Sequence, residues 1–135
     1  TTAAAYLDLN NRTDISGFAC SIVSKLSGSY FYVEMHWTGI LNCDGELGLK
    51  RNGTQVVNNL IGSDRDAAGN AGYHDSNTYA GFFLDTGISS TAGTTYTYQV
   101  TGRATGCSRE GYFNRDPSGS TGNGRCSVTV MEVSP

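Results

Sequence analysis

This chain of 135 residues has few charged residues and no long apolar stretch. No apolar run approaches the roughly 20 residues that a membrane helix needs, and no basic-then-apolar segment of the signal-peptide type opens the sequence. The nine Lys and Arg residues are dispersed and the net charge is -3, so a nucleic-acid surface has little support. Runs rich in Ala, Leu, Glu and Lys are also missing, which disfavours helices. We expect a soluble protein that binds neither nucleic acid nor membrane.

The composition is that of a β-protein. Gly accounts for 18 residues, nearly twice the usual share of about 7%, and Thr, Ser, Tyr and Asn are abundant. The length fits one domain with a core of its own. We expect a single domain over residues 1–135, with residues 1–11 as an N-terminal contact segment. Because Thr1 is small enough for a preceding initiator Met to be trimmed, we also expect a complete product without a stalk.

Alternation of apolar and polar residues with period two predicts strands that turn one face to a core. In "YFYVEMHWTG" (30–39) one phase is entirely apolar: Phe31, Val33, Met35 and Trp37. In "GTTYTYQVTG" (93–102) the core phase is Tyr96, Tyr98 and Val100, and the solvent phase is Thr95, Thr97, Gln99 and Thr101. Six further strands are predicted at 3–9, 17–23, 46–50, 55–59, 79–84 and 125–133. About eight short strands joined by Gly- and Asn-rich turns predict an all-β, antiparallel sandwich or jelly roll.

The stretch "ELGLKRNGTQVV" (46–57) allows two interpretations. Asn52-Gly53-Thr54 is an acceptor pattern for N-linked sugar, as is the triplet at 11–13, yet Asn-Gly between apolar runs is also the strongest short-range hairpin signal. We favour a two-residue type I′ turn at Asn52 and Gly53, because both positions need φ > 0. This turn would place Leu49 opposite Val56.

Four cysteines permit three pairings. They contain no C-x-x-C spacing, so a structural zinc site is not expected. A Cys107–Cys126 bond would close a loop of roughly 20 residues, worth about 3 kcal/mol in the chain-entropy model. We favour that bond with Cys20–Cys43 as its companion, and four buried thiols are the alternative.

Two long loops, at 61–77 and 108–124, contain little that could form a core, and long loops are often functional. In the first, "DRDAAGNAGYHD" superficially resembles a calcium-binding loop. The match fails because Ala68 occupies the fifth position, Asp75 replaces the Glu of the last position, and no helices flank the loop. A solvated polar loop is the preferred interpretation, and a weak surface calcium site is the alternative. The expected partner contacts in the two loops are Asp64, Asp66, Tyr73, His74, Tyr112, Phe113 and Arg115.

No catalytic frame is recognisable. His36 and His74 have no metal-ligand spacing, nothing resembles a nucleophile elbow, and no carboxylate pair stands out. We expect no enzyme activity, no cofactor and no metal. Tyr30, Tyr32 and His36 lie on the phase opposite the core of their strand, where exposed aromatic rings suit a subunit interface or a sugar platform. A packed sheet face is the alternative, and we favour a trimer interface.

The order of motifs resembles the complement-globular-head and tumour-necrosis-factor-like jelly roll, especially as found in virion proteins of tailed bacteriophages. The resemblance spans residues 28–133 and is carried by a Leu-x-Leu strand into an Asn-Gly turn (47–54), a Gly-Thr-Thr-Tyr strand (93–100), a Tyr-x-Asn-Arg segment (112–115) and a terminal strand near Met-Glu-Val (128–133). It implies a homotrimer of ten-strand-class jelly rolls that binds through surfaces. The four cysteines and the absence of a stalk depart from the pattern.

A small trimer without a shaft suits a capsid. The resemblance therefore leads us to expect a head-decorating (cement) protein on the capsid surface, whose partner is the phage major capsid protein. The alternatives are the receptor-binding tip of a tail fibre or spike, which would contact a host surface glycan, and a secreted lectin-like module.

Overall fold

A computed structural model describes residues 5–8, 11–41, 44–63, 77–105, 110–113 and 126–134. These residues contain nine strands and no helix. The strands are β1 (Ala5–Asp8), β2 (Thr13–Val23), β3 (Tyr30–Leu41), β4 (Asp44–Arg51), β5 (Thr54–Ser63), β6 (Asn77–Asp85), β7 (Thr95–Thr105), β8 (Glu110–Phe113) and β9 (Ser127–Val133). The predicted all-β class is confirmed.

The strands form two antiparallel sheets, consistent with a β-sandwich. The first sheet has the order β1-β8-β3-β6, and β9 also pairs with β3. The second has the order β2-β7-β4-β5. The long strand β3 has room for two partners on one side, because Tyr30–His36 pair with β9 whereas Gly39–Leu41 pair with β8.

One hydrophobic core fills the space between the sheets. The apolar phase of β3 is fully buried, as are Tyr98 and Val100 of β7, so both alternation patterns predicted the correct inward face. Aromatic rings connect the sheets: Phe31 of β3 lies 5.0 Å from Tyr96 and 6.1 Å from Tyr98, centroid to centroid. Ring pairs at these separations add to the stabilisation from buried area alone.

The Asn52-Gly53 turn connects β4 to β5. Asn52 has φ 47° and Gly53 has φ 83°, in the range that a type I′ turn requires at both positions. Arg51 pairs with Thr54, but Leu49 pairs with Val57 and not with the predicted Val56. The prediction was wrong there because β5 contains an irregularity between these pairs, and such a bulge leaves no periodic signal.

Other boundaries also differ from the prediction. β5 continues to Ser63 and β6 begins at Asn77, so strand residues occupy both ends of the predicted 61–77 loop. β8 lies within the predicted 108–124 loop and pairs with both β1 and β3. Thr101 was predicted to face solvent, yet it is fully buried, because the side chains of Arg12 and Gln55 cover it and bond its hydroxyl at 3.3 Å.

Candidate functional site

The two sheets present outer faces of different chemistry. On the first sheet, the outward residues of β3 are flanked by those of β6 and β9, since Tyr32 pairs with Leu84 on one side and Met131 on the other. Tyr30 likewise pairs with Val133. The six large side chains that cluster there are called the apolar face: Tyr30, Tyr32, Phe82, Leu84, Met131 and Val133.

The apolar face is open to solvent. Phe82 is 59% exposed, and Leu84, Met131 and Val133 are also exposed, while Tyr30 and Tyr32 are partly exposed. Tyr32 and Phe82 stack with centroids 6.4 Å apart and ring planes inclined by 17°. Scattered exposed apolar residues are normal, but a contiguous cluster on one face indicates an interaction surface.

A hydrogen-bonded histidine and glutamate border the apolar face. His36 Nε2 lies 2.9 Å from Glu34 Oε1, and both side chains are partly exposed. Glu34 is directly opposite Phe82 in the β3–β6 register, and His36 is opposite Ala80. The predicted interface residues Tyr30, Tyr32 and His36 therefore lie on one surface.

The outer face of the second sheet is polar. Arg12 and Arg103 both bind Glu46, with N–O distances of 2.7 and 3.0 Å. Lys50 Nζ donates to Asp14 Oδ1 at 2.6 Å. Burial lowers the pKa of Arg12, and the neighbouring positive charge of Arg103 lowers it further, against the opposing effect of Glu46. This network suits contact with water or with a polar partner.

A buried charge connects the sheets at one end of the core. The Asp85 carboxylate accepts hydrogen bonds from Arg51 and, at 2.8 Å, from the Tyr98 hydroxyl. Burial raises the pKa of Tyr98, and the bond to Asp85 raises it further. Partial burial lowers the pKa of Arg51, but the bond and charge of Asp85 outweigh that effect and raise it. All three groups have partners, so the cluster is structural.

Glu132 fixes the connection between β2 and β3. Its Oε1 accepts from Ser24 Oγ at 2.6 Å, Ser29 Oγ at 2.5 Å and Leu26 N at 3.1 Å, and its Oε2 accepts from Lys25 N at 2.8 Å. These bonds, led by those from Ser24 and Ser29, lower the pKa of Glu132 to about 2. The carboxylate is engaged by the protein itself, which indicates an anchor for the connection.

The cysteine pairings find no support in the structure. Cys20 is a free thiol, and its predicted partner Cys43 lies outside the described residues. Cys126 is buried, with Sγ 3.4 Å from the amide N and from the carbonyl O of Thr38. Its predicted partner Cys107 is also outside the described residues, so that pairing stays a prediction.

Most of the predicted loop contacts belong to segments that the structure does not describe. Asp64, Asp66, Tyr73, His74 and Arg115 lie outside the described residues. Tyr112 and Phe113 belong to β8, for which the structure describes the backbone alone. Whether these loops bind a partner therefore stays a prediction.

The sequence prediction missed four members of the apolar face: Phe82, Leu84, Met131 and Val133. A signal was available in β6, where Phe82, Phe83 and Leu84 are consecutive. A strand with apolar residues in both phases is typical of one that is covered on both faces.

Among the residues that the structure describes, no group of three His, Cys, Asp or Glu side chains could hold a metal ion. The same residues include no helix with the length and hydrophobicity of a membrane span. No protein-family model matches the sequence, and a search of curated proteins finds no match.

Proposed function

We propose that this chain is a non-enzymatic structural protein that self-associates as a homotrimer through the apolar face. The observation that carries the proposal is the difference between the two sheets: one outer face exposes the Tyr32–Phe82 stack and its apolar neighbours, and the other carries ion pairs. A second and a third copy that cover the apolar face remove it from water, which is favourable at about 25 cal/mol per Å² of apolar area.

We further propose that the sandwich is a jelly roll. Four antiparallel pairs are nested along the chain: β4 with β5, β3 with β6, β2 with β7, and β1 with β8. A long hairpin that is rolled into two sheets gives this nesting, and the jelly roll is the double-sheet fold of this type. The nesting supports the resemblance to the complement-head and tumour-necrosis-factor-like domains, and that resemblance in turn favours three copies over two.

The proposed role is decoration of a bacteriophage capsid as a cement protein that binds the major capsid protein. Its support is the order of motifs in residues 28–133, together with the nested strand pairs. In a closed trimer the polar faces of the second sheets point away from the buried apolar faces and are available to coat subunits. Three equivalent contacts then act together, so that avidity replaces strong affinity at any one contact.

Substitution of Phe82 tests self-association. Phe82→Ser removes the most exposed large ring of the apolar face, and an interface aromatic residue typically contributes on the order of 2 kcal/mol or more, roughly 30-fold in affinity. We expect this variant to sediment as monomer at concentrations where the unchanged chain is trimeric. Val23→Ser is the matched control, because Val23 is 52% exposed but belongs to β2 of the second sheet. Equal association of all three proteins would contradict the proposal.

Immunoelectron microscopy tests the capsid role. Antibody raised against the purified chain should label the heads of intact phage particles that contain it, in a pattern that follows the capsid lattice. Label confined to tail fibre tips would overturn the capsid assignment in favour of receptor binding and leave the trimer intact.

A further inference from the structure

Glu34 and His36 are the carboxylate and the imidazole that the described residues place on the outer face of the first sheet. They are outward neighbours on β3, and their side chains meet at 2.9 Å. Glu34 lies beside Phe82 in the register, and Phe82 stacks on Tyr32. Covering the apolar face therefore brings this pair into or against the same contact.

The described side chains of β6 and β9 that face the pair carry no charge. On β6, the outward residues opposite His36 and Glu34 are Ala80 and Phe82, followed by Thr78. On β9, Ser127 lies opposite His36 and Thr129 lies opposite Glu34. The other ionisable groups that the described residues place on this face are the hydroxyls of Tyr30 and Tyr32. The charge state of the contact is thus set by Glu34 and His36 together.

We propose that the Glu34–His36 pair makes self-association pH-dependent, with tighter assembly when His36 is protonated. This inference rests on the proposed trimer. Moving an unpaired charge out of water costs free energy. The cost is smaller for two opposite charges at hydrogen-bond distance, because each compensates the other. Imidazole is the side chain whose charge changes between about pH 5 and 8. Protonated His36 neutralises Glu34, and neutral His36 leaves three symmetry-related carboxylates without compensation.

The sign follows from proton linkage. If assembly favours protonated His36, the trimer retains protons that the monomer releases as the pH rises, so association weakens with rising pH. Each retained proton changes the association constant by at most about tenfold per pH unit. With three copies we expect a loss of at least about tenfold in the trimer association constant between about pH 6 and pH 8.

Two substitutions distinguish charge compensation between Glu34 and His36 from the simple loss of the contact between their side chains. Glu34→Gln removes the negative charge, so that protonated His36 becomes the uncompensated group and association should strengthen as the pH rises, the reverse of the unchanged chain. His36→Gln retains the carboxylate without its partner. Its association constant should be as weak at about pH 6 as that of the unchanged chain at about pH 8, with no further change across this range.

The measurement is sedimentation velocity of the full chain and its variants at several pH values, with Asp14→Asn as control. Asp14 bonds to Lys50 on the second sheet, so its substitution should leave the pH profile unchanged. A trimer whose association constant is the same at every pH, or a Glu34→Gln variant with the slope of the unchanged chain, would overturn this inference alone. A monomer at every pH would overturn the proposed function as well.

Discussion

Asp85 shows how single polar residues hold the two sheets together. Its side chain is only 3% exposed, and its partners Arg51 and Tyr98 belong to the second sheet. Removal of one member of a buried ion pair leaves the other without compensation and typically costs 3–5 kcal/mol. Arg51 is 20% exposed, so water can solvate part of its freed charge and the cost is smaller.

Asp85→Asn should therefore lower the free energy of unfolding by about 2–3 kcal/mol. Asp14→Asn is the control, because it breaks an ion pair, Lys50–Asp14, whose carboxylate side chain is 54% exposed. This substitution should change the free energy of unfolding by less than about 1 kcal/mol. Urea unfolding of both variants measures these two changes in the free energy of unfolding. Equal losses of unfolding free energy in the two variants would show that burial does not make the Asp85 cluster more stabilising than the exposed Asp14–Lys50 pair.

Glu132 gives stability a dependence on acid pH. Its folded pKa is about 2, below the ordinary value of 4.5, so the carboxylate stabilises the fold above pH 4.5. That contribution is lost as the pH falls from 4.5 through about 2, because the unfolded state takes up the proton first. Glu132→Gln should lower the melting temperature at pH 7, and its difference from the unchanged chain should shrink toward about pH 2.

Thermal unfolding followed by circular dichroism at pH 7, 5, 3 and 2 measures this difference. Asp14→Asn again serves as control, since within the described residues the Asp14 carboxylate accepts one hydrogen bond whereas that of Glu132 accepts four. A melting-temperature difference for Glu132→Gln that is constant over the whole range would contradict the proposed origin of the low pKa.

At the scale of elements, the β4–β5 hairpin depends on backbone conformation. A Cβ on Gly53 would meet no atom within 4 Å, but the residue has φ 83°, where side chains other than Gly are strained by about 1–2 kcal/mol. Gly53→Ala should lower the free energy of unfolding by that amount. Gly87→Ala is the matched control, because its Cβ would meet Asp85 at an ordinary 3.7 Å without such a φ. If chemical denaturation gave the same loss of unfolding free energy for both variants, the positive φ of Gly53 would not be the cause.

A close contact between Gly81 of β6 and strand β5 limits how near the two sheets can approach each other. A Cβ on Gly81 of β6 would lie 2.8 Å from Leu60 Cγ, 2.9 Å from Ile61 Cγ1 and 2.9 Å from the Leu60 carbonyl oxygen. Because one of these atoms belongs to the backbone of β5, the neighbour cannot move away by a rotamer change alone. This close approach explains why β6 has a Gly at an inward position of the sheet.

Strand positions could be predicted from the sequence, but strand pairing could not. All eight predicted strands are present, because alternation is a local property. β8 was missed because four residues are too few for a periodic pattern, and its partners β1 and β3 are distant in sequence. The same limit applies to Glu132, whose bond to Ser24 spans 108 positions. Tyr30 and Tyr32 could be assigned to the candidate face from β3 alone, whereas Phe82 and Met131 required the register of the neighbouring strands.

The exposed apolar face is the feature of the whole molecule on which the proposed trimer depends. The second sheet carries ion pairs on its outer face, while the first leaves Phe82, Leu84 and Met131 exposed. A monomer that kept this surface in water would forgo the favourable burial and risk non-specific association. A closed trimer removes the surface without leaving an open contact for further growth.

Sedimentation equilibrium of the purified chain at micromolar concentration and about pH 6, where the proposed assembly is tightest, is the direct test of whether the apolar face forms a trimer. A closed trimer gives a single species of about 43 kDa, three times the 14.3 kDa of one chain. A species of 14.3 kDa at every concentration tested would contradict it.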